Sequence, residues 1–526
     1  VFGYFKKFKT ALKMKKSLRE EKEKQKVNSF EHLYSKIEKN LDVIKKTLGD
    51  SSDIIMKEFT FGFDGKTKGA LICVDGLVNM DLLSASVLKP FIYDSSYRFK
   101  VDKLMSIDLG GIERNLISTG EVDKIDTFGK LFEDVLSGNS ILLVDGAKEA
   151  LTIGARQWEK RGVSEPAGEN VVRGPRQGFT ETLRVNTSML RRILKNTNLR
   201  FVSMKIGKQT KTDIVIAYIQ GIVKDELIED IKKRMENINT DSVLDSGYIE
   251  AFIEDAPFSI FPTIGNSEKP DTVAGKMLEG RAAILVDGSP FVLTAPMVFM
   301  ESFQTAEDYY IRSTFATSLR VIRLFSYMLT ILAPALYVAL TTFHQELIPT
   351  SLLFTMTAGV SGVPFPAVVE ALVMMITFDI LKEAGVRLPK PVGSAISIVG
   401  ALVIGQSAVQ AGIVGPFMVI IVAITAITSF VTPFLIDSST LLRYFLLMLA
   451  GIGGGFGILL GLLAILVYLA ALQSFGMPYL APLSPFNREA MKDMLVRMPL
   501  KTMLMRPFKM AGNNRKRRGD AQPPKL

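Results

Sequence analysis

Five apolar stretches in the last third of the chain constrain its fold more than any other feature. Val321–Phe343, Ala367–Glu383, Val392–Ala411, Ile413–Leu435 and Leu441–Leu472 each approach or exceed the length of a membrane-crossing helix, because a hydrocarbon core of roughly 30 Å takes about 20 apolar residues to span. They follow about 320 residues of ordinary globular composition. The sequence therefore predicts a large soluble head followed by an all-α polytopic membrane domain.

The chemistry open to the head is narrow. Of 526 residues, one is Cys and two are His. Cys73 has no second thiol for a disulfide or a thiolate cluster, and His32 and His344 are too few for a zinc centre or a His-based triad. No catalytic residue, metal site or cofactor is expected, and the chain does not read as an enzyme. The net charge of +10 sits at the two ends: residues 1–26 hold ten Lys and Arg against three Glu, and residues 486–526 hold eleven against three acids. Basic tails of this kind suit an anionic cytoplasmic leaflet, or simple solvation, better than nucleic acid, which calls for positive charge spread over a folded face. Phe2–Phe8 is short and broken by Lys6 and Lys7, so it is no secretory apolar region, and the head is expected to stay cytoplasmic.

Within the head, residues 9–47 read as charged helix, with Phe30, Leu33, Ile37, Leu41 and Ile44 at helical spacing. Strands follow: Ile54–Phe63 runs into Asp64-Gly65, Ala70–Val74 into Asp75-Gly76, and Leu77–Leu83 continues the alternation. Asp-Gly between apolar runs marks a tight hairpin. The device returns as Val144-Asp-Gly146 before Ala150–Ile153 and as Val286-Asp-Gly288 before Phe291–Thr294. The recurrence predicts two mixed α/β modules. In the second, Thr212–Ile219 reads as a buried strand, and Lys224–Ile238 as an amphipathic helix with Leu227, Ile228, Ile231 and Met235 on one face.

The modules are separated by a connector rich in Gly and Pro, which contains Arg173-Gly-Pro-Arg-Gln-Gly178. Arg173 and Arg176 have two readings, a tie between modules or a clamp on an anion. Gly65-Lys66-Thr67 resembles the end of a phosphate-binding loop, but Thr60 stands where that loop needs Gly. It reads as a turn, and a nucleotide hydrolase is excluded.

In the membrane part, Pro334 predicts a kink in the first segment, and Arg312, Arg320 and Arg323 before it argue for a cytoplasmic head. Glu370 and Asp379 fall inside the second segment, where ionisable groups are costly and face a bundle interior or a water path. Asp379 has Lys382 three residues on as a candidate partner; Glu370 reads equally as interfacial or as a pore or partner contact. At 100° per residue, Ser394, Ser397, Ala401, Gly405, Ala408 and Gly412 form a small-residue stripe opposite Ile396, Val399 and Val403. Such a stripe serves close helix packing or a narrow pore lining. Leu441–Leu472 is too long for one crossing and short for two, with Gly451–Gly457 as its natural break. Five full crossings from a cytoplasmic head would leave the basic C-terminus outside, so four crossings and a re-entrant or interfacial piece are expected.

Several motifs carry a family resemblance. Arg173-Gly-Pro-Arg-Gln-Gly-Phe-Thr-Glu181, Asn186, Leu190-Arg-Arg-Ile193, Val286-Asp-Gly-Ser-Pro290, Leu381–Pro389 and Ser397–Gly405 resemble the GerA family, the A subunits of bacterial spore germinant receptors. The resemblance covers residues 40–490. It implies a multi-pass protein of the spore inner membrane with a cytoplasmic head, assembled with a transporter-like B subunit and a lipoprotein C subunit. It also implies a homo-oligomeric, nutrient-gated monovalent cation channel whose opening initiates germination. A paralogue associated with dipicolinate release shares the motifs, and a small secondary transporter is the rival outside the family, although transporters more often show repeated halves.

The expected division is a basic tail over residues 1–30, a first α/β module over 31–162 and the connector over 163–184. A second module over 185–318, the helical membrane domain over 319–485 and a basic tail over 486–526 complete it. Pore-lining candidates are Ser394, Ser397, Ala401 and Gly405, the intramembrane acids are Glu370 and Asp379, and the connector residues are Arg173 and Arg176.

Overall fold

A computed structural model describes residues 31–61, 67–94, 109, 117, 121–157, 166, 168–388, 403–503, 505–507, 510–512, 514, 516 and 517. The helix expected before residue 31 and the turn at residues 62–66 lie outside them. The chain divides into two units, one of residues 1–255, 264–296 and 501–526, the other of residues 256–263 and 297–500. The N-terminal region is mixed α/β, and the region after it is helical.

The α/β unit holds two five-stranded antiparallel sheets. In the first, β1 (Ile54–Phe61), β2 (Thr67–Val74), β3 (Val122–Ile125), β4 (Ser140–Val144) and β5 (Ala150–Ile153) lie in the order β1-β2-β4-β5-β3. The second, from β6 (Leu199–Ile206), β7 (Thr212–Ile219), β8 (Gly265–Ser267), β9 (Ala282–Val286) and β10 (Val292–Ala295), has the order β6-β7-β9-β10-β8. Strand for strand, the two orders are the same. Along β2, Ala70, Ile72 and Val74 enter one core with α1 (Ile37–Leu48) and α2 (Phe128–Leu136), while Leu71 and Cys73 enter a second on the other face. Alternation thus serves a sheet buried on both sides, which is why its strands read as nearly continuous apolar runs.

The Val-Asp-Gly turns do more than reverse the chain. Asp145 accepts the N–H of Ile37 at the start of α1 (3.0 Å), and Asp287 accepts that of Leu183 at the start of α3 (Leu183–Ile193), also at 3.0 Å. Each satisfies an orphan donor at a helix N-terminus. The fourth residue of each helix is a buried Asn. Asn40 bonds the Tyr34 backbone and Asn186 the Thr180 backbone, each through both N–H and C=O. The modules therefore share a helix-docking device as well as a topology.

Two expectations for this unit change. After Gly76 the chain leaves the sheet, and Met80–Leu83 is helical because the Asn79 side chain accepts the Leu82 N–H. The described part of the basic C-terminus is packed: Arg506 donates to the carbonyl of Leu278 (2.8 Å), and Gly512 to that of Ile222 (2.7 Å). The amphipathic helix α4 (Asp225–Glu236) does bury Leu227, Ile228, Ile231 and Met235, and α5 (Ser246–Ile253) and α6 (Pro270–Leu278) follow it.

Among the contacts that join the two modules, which include Ser52 N–H to the Phe201 carbonyl (3.0 Å) and Arg200 to the Thr47 carbonyl (3.1 Å), Arg191 makes the buried ion pair. It is 1% exposed, donates from Nε and Nη2 to the two oxygens of Asp53 at 2.8 Å each, and lies 4.9 Å above the Phe201 ring. Burial pulls the guanidinium pKa down and the Asp53 charge holds it up. Ser51 completes the contact by donating to Asp53 and accepting the Phe201 N–H. Arg173 and Arg176 lie at the exposed surface of the connector, which is bound to its own module: the Lys269 ammonium donates to the carbonyl of Pro175, and Phe179 N–H to that of Glu268.

The helical unit begins with α7 (Ser313–Thr342), which continues through Pro334. It is followed by α8 (Thr350–Val360), α9 (Ala367–Arg387), a helix over residues 403–410 as α10, α11 (Pro416–Ser429) and α12 (Ile436–Ala471). Among the described residues, two helices, Ser313–Thr342 and Pro433–Ala471, are long and apolar enough to cross a membrane. Of the run Ile413–Leu435, only 14 residues form α11. Pro416 opens it at its first position, and Pro433 disfavours helical backbone at Thr432 beyond its end.

α12 is not one rod. Gly454 has φ 55° and ψ −136°, a backbone reserved for Gly, and the halves fold back on one another there. A methyl group added at Gly461 would lie 2.7 Å from Leu446 and 3.6 Å from Phe445, and one at Gly457 would collide with the Leu449 carbonyl. Each half of about 17 residues is roughly 26 Å long, close to one hydrocarbon core. The excess length thus becomes a hairpin with both ends at the same end of the unit. Ser438 near its start donates to the Ile260 carbonyl, and Ser474 beyond its end to that of Thr263.

Two outcomes test these features. Arg191→Ala leaves Asp53 buried without its counter-charge and is expected to cost the α/β unit about 3–5 kcal/mol; chemical denaturation followed through that unit should show it, with Arg191→Lys failing to restore the bidentate pair. With Cys73 replaced, the pair Leu446→Cys and Gly461→Cys should cross-link with a short thiol reagent, whereas a straight helix would hold the two about 22 Å apart.

Candidate functional site

An apolar helical unit must account for each charge it contains, since an isolated ion there costs several kcal/mol. Asp379, on α9, is met by α12: the Arg443 Nη2 donates to its two oxygens at 2.8 and 3.0 Å, and the Tyr444 hydroxyl donates to Oδ2 at 2.6 Å. Arg443 is 2% exposed. Lys382, the partner suggested by spacing, instead has its ammonium 5.7 Å from the Phe430 ring centroid. An interhelical pair replaces the local one because Arg443, buried, has the greater need of a counter-ion.

A second group closes the start of α7. Arg320 is fully buried and donates to Asp308 (2.9 Å) and Asp493 (3.0 Å), Arg323 also donates to Asp308, and the Tyr309 hydroxyl donates to Asp493. Two of the arginines that suggested orientation by their charge are thus neutralised within the unit.

Glu370 stands apart. It lies in the first turn of α9, is 1% exposed, and through Oε1 accepts the backbone N–H of Gly415, the residue capping α11. Its Oε2 is buried without a hydrogen-bond partner among the described residues. The surroundings are two interruptions of helix, residues 361–366 between α8 and α9 and residues 411–415 between α10 and α11. They abut: a methyl group at Gly412 would lie 3.4 Å from the Gly362 carbonyl oxygen, and one at Gly359 3.3 Å from Pro416. Sequence reasoning placed Glu370 in a span and saw the Gly359–Pro366 breakers, but their meeting with Gly412–Gly415 left no local signal.

Of the stripe proposed to line a pore, Ser394, Ser397 and Ala401 lie outside the described residues. Gly405 is buried, with Val419 of α11 3.3 Å from where its Cβ would be. Among the described residues no group of three or more His, Cys, Asp or Glu could hold a metal ion.

Residues 42–509 match the family model of the Bacillus/Clostridium GerA spore germination protein. The chain belongs to the GerA family. Among GerA relatives, the chain is 46% identical over 492 residues to spore germination protein KA of Bacillus subtilis (strain 168), covering 92% of this chain and 89% of that protein. It is 41% identical over 491 residues to the uncharacterized membrane protein YfkQ of the same organism, covering 93% and 94%. With spore germination protein GerLA of Bacillus cereus it shares 38% over 466 residues, covering 88% and 93%. The crystal structure of the N-terminal domain of the A subunit of the Bacillus megaterium spore germinant receptor GerK3 aligns at 36% identity with a TM-score of 0.41, covering 51% of this chain and 98% of that one.

For this GerA protein, the buried pair yields a direct expectation. Asp379→Leu strands Arg443 and should lower thermal stability of the detergent-solubilised protein strongly, while Asp379→Leu combined with Arg443→Leu should recover much of the loss. Size-exclusion profiles after a heating series would read both.

Proposed function

We propose that this chain is the A subunit of a spore germinant receptor, acting in a nutrient-gated monovalent cation channel of the spore inner membrane whose opening initiates germination. The observation that carries the reading is the apposition of two helix interruptions around a buried acid, inside an apolar helical unit of a GerA protein. Irregular backbone at membrane depth is tolerated where it is buried in protein or lines an ion path. The α12 hairpin supports a multi-pass arrangement with the head cytoplasmic, because an even number of crossings puts both basic ends of the chain on one side.

A channel of this kind needs several copies around an axis, since one bundle of this size leaves little room for a central water path. The remaining partners are a transporter-like B subunit, a lipoprotein C subunit and the bilayer, with the nutrient bound mainly by the B subunit. Ser394, Ser397 and Ala401 are the proposed lining, and Gly405 is the position where packing competes with that role. Arg173 and Arg176 are proposed to steady the connector between the modules.

The test is ion flux in liposomes holding the purified protein with its partners. Potassium flux is expected on addition of the nutrient, with water-soluble thiol reagents modifying Cys at positions 394, 397 and 401 more in the stimulated state than at rest. Flux without any change in reactivity would move the pore away from these residues. Absence of flux in a demonstrably closed oligomer would remove the channel reading.

A further inference from the structure

We propose that Glu370, together with backbone carbonyls of the neighbouring helix interruptions, forms a binding site for one dehydrated monovalent cation. The argument begins with the state of the carboxylate. Gly415 N–H belongs to the N-terminal end of α11, whose unpaired amides and dipole favour negative charge, and it is given to Glu370 Oε1. An ionised Glu370 would thereby be held on one oxygen only. Among the described residues Oε2, equally buried, has no donor, and a carboxylate with one oxygen unanswered in an apolar interior calls for a positive partner.

The neighbouring backbone supplies the rest of a cation's requirements. The point where a Cβ of Gly415 would sit has Glu370 Oε1 at 3.3 Å and the Gly359 carbonyl oxygen at 3.8 Å. Gly359 lies in the last turn of α8, the end whose carbonyls carry partial negative charge. The Gly362 carbonyl oxygen lies beside Gly412. Glycines at 359, 362, 412 and 415 let these backbones approach closely, with the side chains of Val360 (3.1 Å from the Gly415 Cβ point) and Pro416 (3.3 Å from that of Gly359) packed beside them. A carboxylate and carbonyl oxygens at the ends of broken helices are the ligand set by which membrane proteins replace the water of sodium or potassium. One carboxylate balances one positive charge, which makes the ion monovalent.

The inference rests on the channel reading only for its purpose, since the ion would occupy this site at equilibrium without flux. Failure of binding and failure of conduction are therefore separate results. The test uses the full chain in lipid nanodiscs, with radiolabelled rubidium as probe against an N-methylglucamine background. Saturable binding near one ion per chain is expected, with affinity at least about tenfold weaker in Glu370→Gln and partly kept in Glu370→Asp. Equal binding in wild type and a folded Glu370→Gln variant would overturn the proposal. Should that variant fail to fold, the wild type alone decides. On adding rubidium, an infrared band of a buried carboxylic acid should be lost as its proton passes to water, or the melting temperature should rise relative to N-methylglucamine. Neither change would mean that Glu370 is a protonated structural acid, and the site would be withdrawn.

Discussion

The helical unit is organised by the cost of charge in an apolar interior. Arg443 and Arg320 are almost wholly enclosed, and neither could stay so without a carboxylate brought from elsewhere in the chain. Asp379 comes to the first from another helix, and Asp308 and Asp493 to the second from segments on either side of the helices. These pairs contribute little net stability against an apolar alternative, but each dictates which helices must be neighbours. Register between α9 and α12, and the docking of residues 490–497 on the start of α7, follow from them.

The α/β unit solves a related problem twice. A helix laid on a sheet exposes its first amides, and in both modules the Asp of a Val-Asp-Gly turn answers one while a buried Asn closes the preceding loop. The identical strand orders then follow from repeating one supersecondary plan. Where the plans meet, Arg191 spans from one to the other, and its planar fork matches the carboxylate of Asp53 in a way an ammonium would not.

Periodicity carried the strands and amphipathic helices into view, because burial of alternate residues, or of every third and fourth, is written locally. The apolar runs likewise announced the helical region. What escaped was every contact between distant positions: Asp145 is 108 residues from Ile37, and Arg191 is 138 from Asp53. The fold-back of α12 was half visible, since Gly451–Gly457 marked a break but nothing local distinguishes a kink from a reversal. Apolarity also overstated α11, because hydropathy ignores the backbone restrictions that Pro416 and Pro433 impose. The partner of Asp379 was misjudged for the opposite reason, spacing along one helix having no knowledge of the next.

The order of the chain gives the Arg506 contact a meaning in time. The second module takes two anchors, Arg506 on the Leu278 carbonyl and Gly512 on that of Ile222, from residues synthesised after the described helices of the other unit. That strap is missing while those helices are being made. A ribosome therefore delivers the α/β unit without these two contacts until the helical unit has left the tunnel.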